Sequence, residues 1–179
     1  MSTKKIAQYG LLTALILVLG LVERQFVLVP GVPGIRLGLS NTVLLYALVL
    51  MGTRGAWLLM GLKVVLGGLL YAGVSGMFYS LAGGVLSMLA MMLAFRIRGV
   101  GMVGISICGA VAHMAGQIIV SRVLLGNWAA LVQAPILLIA AVVTGIVTGI
   151  VAQSVCRALS YGDHEAKERL ESLGLTGRR

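Results

Sequence analysis

The chain has 179 residues, of which 59% are hydrophobic and 11% charged, and its mean hydropathy is +1.05. That balance excludes a soluble globular domain and describes an integral membrane protein. The formal charge of +9 would suggest nucleic acid as a partner of a soluble chain, but here much of the basic charge flanks apolar runs, where Lys and Arg set topology, so the expected partner is membrane lipid and not nucleic acid.

In lipid the backbone is satisfied only within helices or a closed barrel. The apolar runs are too long and continuous for barrel strands, which alternate over about 10 residues. The expected fold is therefore an all-α bundle of six transmembrane helices, at about 6–22, 37–51, 56–71, 77–95, 100–125 and 131–158. Residues 1–158 form the membrane domain and 159–179 a C-terminal tail on the cytoplasmic side. The first run follows Lys4 and Lys5 as a signal peptide would, but Glu23-Arg24 stands where a small-residue cleavage site would be needed, so the run reads as a retained span. On that span Ala7, Gly10 and Ala14 are spaced i, i+3 and i+7, a flat face for packing in the bundle or for an external helical partner.

Residues 29–41, Val-Pro-Gly-Val-Pro-Gly-Ile-Arg-Leu-Gly-Leu-Ser-Asn, crowd turn formers, a cation and an amide into apolar surroundings. Pro30 and Pro33 restrict φ, Gly31 and Gly34 permit turns, and the stretch reads as a loop that delivers Arg36 and Asn41 to a helix start. The spans that follow, 37–51 and 56–71, are shorter than the roughly 20 residues that cross a hydrocarbon core. Short spans beside a broken backbone fit a protein-walled cavity; a tilt or a locally thinned bilayer is the alternative.

Ionisable groups inside spans are costly, and each is a functional candidate: Glu23, Arg36, Lys63, His113 and Arg122. Lys63 lies deep in its run with Gly67 and Tyr71 on its face and requires a partner within the bundle. Glu23 is the acid near the spans, placed to neutralise Lys63 or Arg36. Ser80, Gly83, Gly84 and Ser87 form a weakly polar face, although such serines often bond the carbonyl one turn back. His113, Gln117 and Ser121 share a helix face that reads as directed to water or a ligand. In the last run Ala141, Gly145 and Gly149, continued by Gln153, read as a packing stripe. Asp163 is a plausible N-cap for a solvated tail helix reaching Leu173, with Glu165 and Arg169 paired at i, i+4.

With both termini inside, the cytoplasmic set holds Lys4, Lys5, Arg54, Arg96, Arg98, Arg157 and the basic tail, against Arg24, Arg36 and Arg122 outside, as the positive-inside rule requires. The chain is then a multi-pass protein of the cell membrane. Near the outer half the cations exceed the single acid, so an anionic or strongly polar ligand with an apolar body fits best. Cys108 and Cys156 have no metal-ligand spacing. No paired carboxylates, nucleotide loop or metal set is present, so neither enzyme chemistry, nor a metal, nor a cofactor is expected.

The strings Pro33-Gly-Ile-Arg-Leu-Gly-Leu-Ser-Asn41, Lys63-Val-Val-Leu-Gly67, Ser80-Leu-Ala-Gly-Gly-Val-Leu-Ser87 and Gly109-Ala-Val-Ala-His-Met-Ala-Gly-Gln117 together resemble the Gx transporter family, also labelled heptaprenyl diphosphate synthase component I. That family resembles the substrate-binding S components of energy-coupling factor (ECF) transporters, six-helix proteins for vitamins and related precursors. The resemblance implies capture of a small anionic or amphiphilic cofactor or precursor from the outer side. Arg36 and Lys63 would hold the anionic group, Asn41, His113 and Gln117 would position it, and Glu23 would hold the cations in place. It also implies that Ala7, Gly10 and Ala14 dock a transmembrane coupling protein carrying two ATPases. The older label implies an alternative, a non-catalytic membrane accessory subunit in isoprenoid diphosphate synthesis.

Overall fold

The computed structural model describes residues 3–25, 39–97, 99–125 and 134–160, together with 132, 168, 170, 171 and 175. All regular structure among them is helical: α1 (Thr3–Gln25), α2 (Leu39–Leu50), α3 (Gly52–Gly67), α4 (Gly73–Phe95), α5 (Met102–Leu125) and α6 (Ala134–Ser160), with a π segment, Gly68–Ala72, joining α3 to α4. Residues 26–38, including Arg36 and most of the Pro/Gly-rich loop, lie outside the described residues, as do Asp163, Glu165 and Arg169 of the expected tail helix.

Four stretches are long and apolar enough to cross a membrane, namely Lys5–Glu23, Gly52–Phe95, Met102–Leu124 and Ala134–Ala158, and Leu39–Leu50 is a shorter apolar helix. Their outward side chains are apolar as well: Leu11 and Val18 on α1, Leu89 and Leu93 on α4, Val123 on α5, Ile139 and Val143 on α6. Such a surface suits hydrocarbon and not water. The chain is thus a multi-pass helical membrane protein. Six crossings are not established by these segments, because the expected spans 56–71 and 77–95 fall in one helical stretch and the expected span 37–51 is a helix of 12 residues.

A straight helix over the 44 residues Gly52–Phe95 would measure about 66 Å, twice the roughly 30 Å of a hydrocarbon core. The chain turns back instead. The Gly73 N–H reaches the Gly68 carbonyl across five residues, and Gly73 itself adopts φ +70, a left-handed conformation that a Cβ would strain. The fold-back brings Met77 of α4 onto Gly68, where a Cβ would overlap it, and Met60 of α3 onto Gly84.

The end where α1 finishes, α2 and α4 begin and the π segment lies is called the upper end below; the turns at Met51 and Arg96 define the lower end. Helix α2 is the most enclosed element. Leu44, Leu45, Ala47 and Val49 are each 1% exposed or less, and they meet Ile16 of α1, Leu59 of α3 and Met88 of α4 in the main core. On the other side glycines set the helix spacing. A Cβ at Gly116 would stand 2.7 Å from the Ala82 carbonyl oxygen, and Cβ atoms at Gly145 and Gly149 would stand 2.8 Å and 2.7 Å from the backbone of Ile107 and Val103. The stripe on α6 therefore packs inside the bundle, as its spacing suggested. The tail departs from a purely solvated helix at one point, since Leu170 is 2% exposed within the main cluster and Leu175 packs beside it.

Gly116→Ala is expected to destabilise the protein by about 1–3 kcal/mol, because the new methyl meets backbone and not a movable side chain. Gly61→Ala, where a Cβ meets nothing within 4 Å, is expected to be neutral or to stabilise by up to about 1 kcal/mol through helix propensity. Unfolding of the two variants in one detergent checks the contrast.

Candidate functional site

A single cavity runs down the interior, with about 850 Å³ of empty space when its open mouth is included, and every helix together with the π segment contributes to its wall. Of the six residues expected to bind a ligand, Glu23, Asn41, Lys63, His113 and Gln117 line it together, and Arg36 lies outside the described residues.

The upper end is charged. Glu23, 3% exposed at the end of α1, accepts the Ser40 backbone N–H on Oε1 at 2.6 Å and faces the Ser40 hydroxyl with Oε2 at 3.5 Å. The first backbone N–H groups of a helix have no intrahelical acceptor, and the helix dipole favours an anion there. Helix α2 therefore begins on the chain's own carboxylate. This gives Glu23 a definite task that differs from the expected pairing with cations: its hydrogen bonds to Ser40 fix where α2 starts. Lys63 donates from Nζ to Asn41 Oδ1 at 2.8 Å. That bond meets the need for a partner inside the bundle and ties α3 to the start of α2. Tyr71, from the π segment, sets its hydroxyl into a notch where Cβ atoms at Gly20 and Gly67 would be 2.5 Å and 3.1 Å away.

The middle of the cavity is amide and imidazole. Gln117 Nε2 and His113 Nε2 are 3.1 Å apart, one helical turn along α5. Gly83 gives the imidazole its room, since a Cβ there would come within 2.8 Å of His113 Cε1. Ser121 is not among the lining residues, so the polar face of α5 continues downward from His113 to Ser106 and not upward.

The lower end is hydroxylic and carries no ionisable group among the described lining residues. Ser106 Oγ and Thr148 Oγ1 are 2.9 Å apart across α5 and α6, and Thr148 Oγ1 also bonds the Thr144 carbonyl at 2.8 Å. Ser87, 2% exposed on α4, has no hydrogen-bond partner for its Oγ among the described residues. The carbonyl one turn back, which often satisfies a helical serine, is not its partner.

Tyr71, Ser106, Thr144 and Thr148 were not singled out as ligand-binding by sequence reasoning. A signal existed for two of them: Ser106 stands seven residues before His113, two turns along the same face, and Thr148 repeats Thr144 at i+4. Arg122 is half-buried on α5 and does not line the cavity. Ala7, Gly10 and Ala14 are all exposed on α1, and a Cβ at Gly10 would meet nothing within 4 Å. Among the described residues no group of three or more His, Cys, Asp or Glu side chains is placed to hold a metal ion.

An all-helical, multi-pass membrane protein with one polar cavity reaching across its helices is the class that fold and site define. The family model described as heptaprenyl diphosphate synthase component I matches residues 12–155, which covers most of the 179 residues, and the chain belongs to that family. No curated protein and no solved structure matches the chain.

Glu23→Ala is expected to cost about 1–2 kcal/mol of stability by leaving the buried start of α2 without its acceptor. Glu23→Gln keeps an acceptor oxygen and should lose less. Thermal unfolding in detergent, read for both variants beside the parent, checks the order.

Proposed function

We propose that the chain is the substrate-binding membrane subunit of an ECF-type importer, a six-helix bundle that captures a small anionic or amphiphilic cofactor or precursor from the outer side. The observation that carries this reading is the convergence of Glu23, Asn41, Lys63, His113 and Gln117, from four helices, on one cavity. Polar groups of this kind are expensive inside a membrane protein and are grouped where they serve a ligand or a path.

Lys5, Arg54, Arg96 and Arg157 belong to the lower end, which makes that end cytoplasmic under the positive-inside rule. The mouth beside Glu23 and Lys63 then opens outward, below the loop that contains Arg36. Lys63 receives the anionic group, with Arg36 as a second cation from the loop. Asn41 orients the ammonium, and His113 with Gln117 meets polar groups further down. The reaction class is binding and release. ATP hydrolysis belongs to partner subunits, and the small, exposed face of Ala7, Gly10 and Ala14 is where a coupling protein would lie against α1.

The family description itself favours a second reading, a non-catalytic membrane partner of a prenyl diphosphate synthase. Affinity purification from native membranes separates the two. Recovery of a coupling protein and ATPases supports the importer, and recovery of a prenyl synthase without them supports the accessory subunit.

Lys63→Met should weaken capture of an anionic ligand by about 10- to 100-fold, the worth of one charge-assisted hydrogen bond, with little change in unfolding temperature. Native mass spectrometry of the parent and the variant checks this through the loss of a co-purifying small molecule. Gly10→Leu should leave that molecule bound while reducing recovery of the coupling protein. A parent that carries no small molecule and binds none from a vitamin and isoprenoid panel would overturn the proposal.

A further inference from the structure

The lower end of the cavity has a chemistry of its own. Helices α4, α5 and α6 each contribute to it two turns below their contribution to the middle, as the pairs Ser80 and Ser87, His113 and Ser106, and Ala141 and Thr148 show. Seven residues of helix correspond to about 10 Å.

Proton counting separates the hydroxyls of this tier. Thr148 has one hydroxyl proton and places its oxygen 2.8 Å from the Thr144 carbonyl, so the Ser106 hydroxyl is the donor across the 2.9 Å to Thr148. Both protons are then used inside the protein. Ser87 differs, because its oxygen lines the same cavity and neither donates nor accepts among the described residues. A buried hydroxyl left unmet is disfavoured. It lies 3.2 Å from the place a Cβ on Gly109 would occupy, and the missing side chain leaves the oxygen facing open space.

We infer that Ser87 marks a second, uncharged subsite, and that the ligand is bipolar: an anionic group at Lys63 and a neutral carbonyl or hydroxyl about 10 Å away that hydrogen-bonds the Ser87 hydroxyl. The inference rests on the anion-binding reading of the upper end and narrows its ligand class. A plain hydrocarbon tail, as on a prenyl diphosphate, would leave Ser87 as unmet as the empty cavity does. A small molecule with an acidic end and a ring carbonyl, amide or hydroxyl at the other satisfies both tiers.

A matched pair of probes tests this, octyl phosphate and 8-hydroxyoctyl phosphate, which differ only at the far end. Equilibrium dialysis against the full chain in a non-ionic detergent, with a detergent-only control, gives both affinities. The unsubstituted protein should prefer the hydroxylated probe by about fivefold, the worth of one neutral hydrogen bond. Ser87→Ala should bind octyl phosphate as before and lose the preference, and Ser87→Cys should fall between. Ser87→Ala should also unfold no earlier than the parent, an outcome that a structural hydroxyl would reverse. Equal affinities in the parent, or a preference that survives Ser87→Ala, overturns the subsite. Where octyl phosphate still binds in a Lys63-dependent way, that result leaves the anion site standing; where neither probe binds, both readings fall.

Discussion

The hydrogen bond from the Ser40 backbone to the Glu23 carboxylate is the constraint on which the interior depends. Helix α2 has 12 residues, about 18 Å of rise, and cannot cross a hydrocarbon core of roughly 30 Å. A helix that ends inside a membrane protein must have its terminal N–H groups met by protein, because lipid offers no acceptor. Glu23 supplies that acceptor from the end of α1, and its charge suits the positive end of the helix dipole. A partial helix held in this way brings Asn41 within reach of Lys63 on α3, and so gives the cavity its charged end.

The two sides of the bundle pack by different rules, and the cavity lies where they meet. Around α2 the contact is made by large side chains, among them Ile16, Leu44, Leu59 and Met88. Between α4, α5 and α6 it is made by backbone against backbone, at Gly116, Gly145 and Gly149. Small residues let membrane helices approach closely where no hydrophobic drive exists between them. Close approach also has a local cost, since the glycines that allow it carry no side chain to fill the space beside them. Gly83 and Gly109 face that space, and His113 and Ser87 occupy its edge.

Much of this was legible in the chain and some was not, for reasons that differ by residue. Long apolar runs reveal α1, α5 and α6 because lipid selects composition along the whole span. Lys63, His113 and Gln117 stood out because charge and amide are rare in such runs. The partner of Lys63 is 22 residues away and that of Glu23 is 17 away, separations that no helical periodicity connects. The reversal at Gly73 was also hidden, since apolar residues continue on both sides of it and a glycine inside a membrane helix is ordinary. Ser87 was weighed as a residue bonded to its own helix. Only the surroundings distinguish it from Thr148, which does make such a bond.

The gradient along the cavity also bears on how a bound molecule would leave it. A site charged from end to end would hold an ionic ligand equally at every depth and give it no preferred orientation. Here the cation and carboxylate lie at the mouth, an imidazole and amide lie in the middle, and hydroxyls with Met91 lie at the bottom. An anionic group therefore loses its best partner if it moves inward past Lys63, while a neutral group gains hydrogen bonds by going down. The molecule is oriented head outward, and release toward the lower end requires Lys63 to give up its ligand. Because Lys63 is tied to Asn41, and Asn41 stands beside Ser40 at the start of α2, a movement of α1 that displaced Glu23 would disturb the anion site directly. The exposed face of α1 is the surface through which a partner could apply that movement.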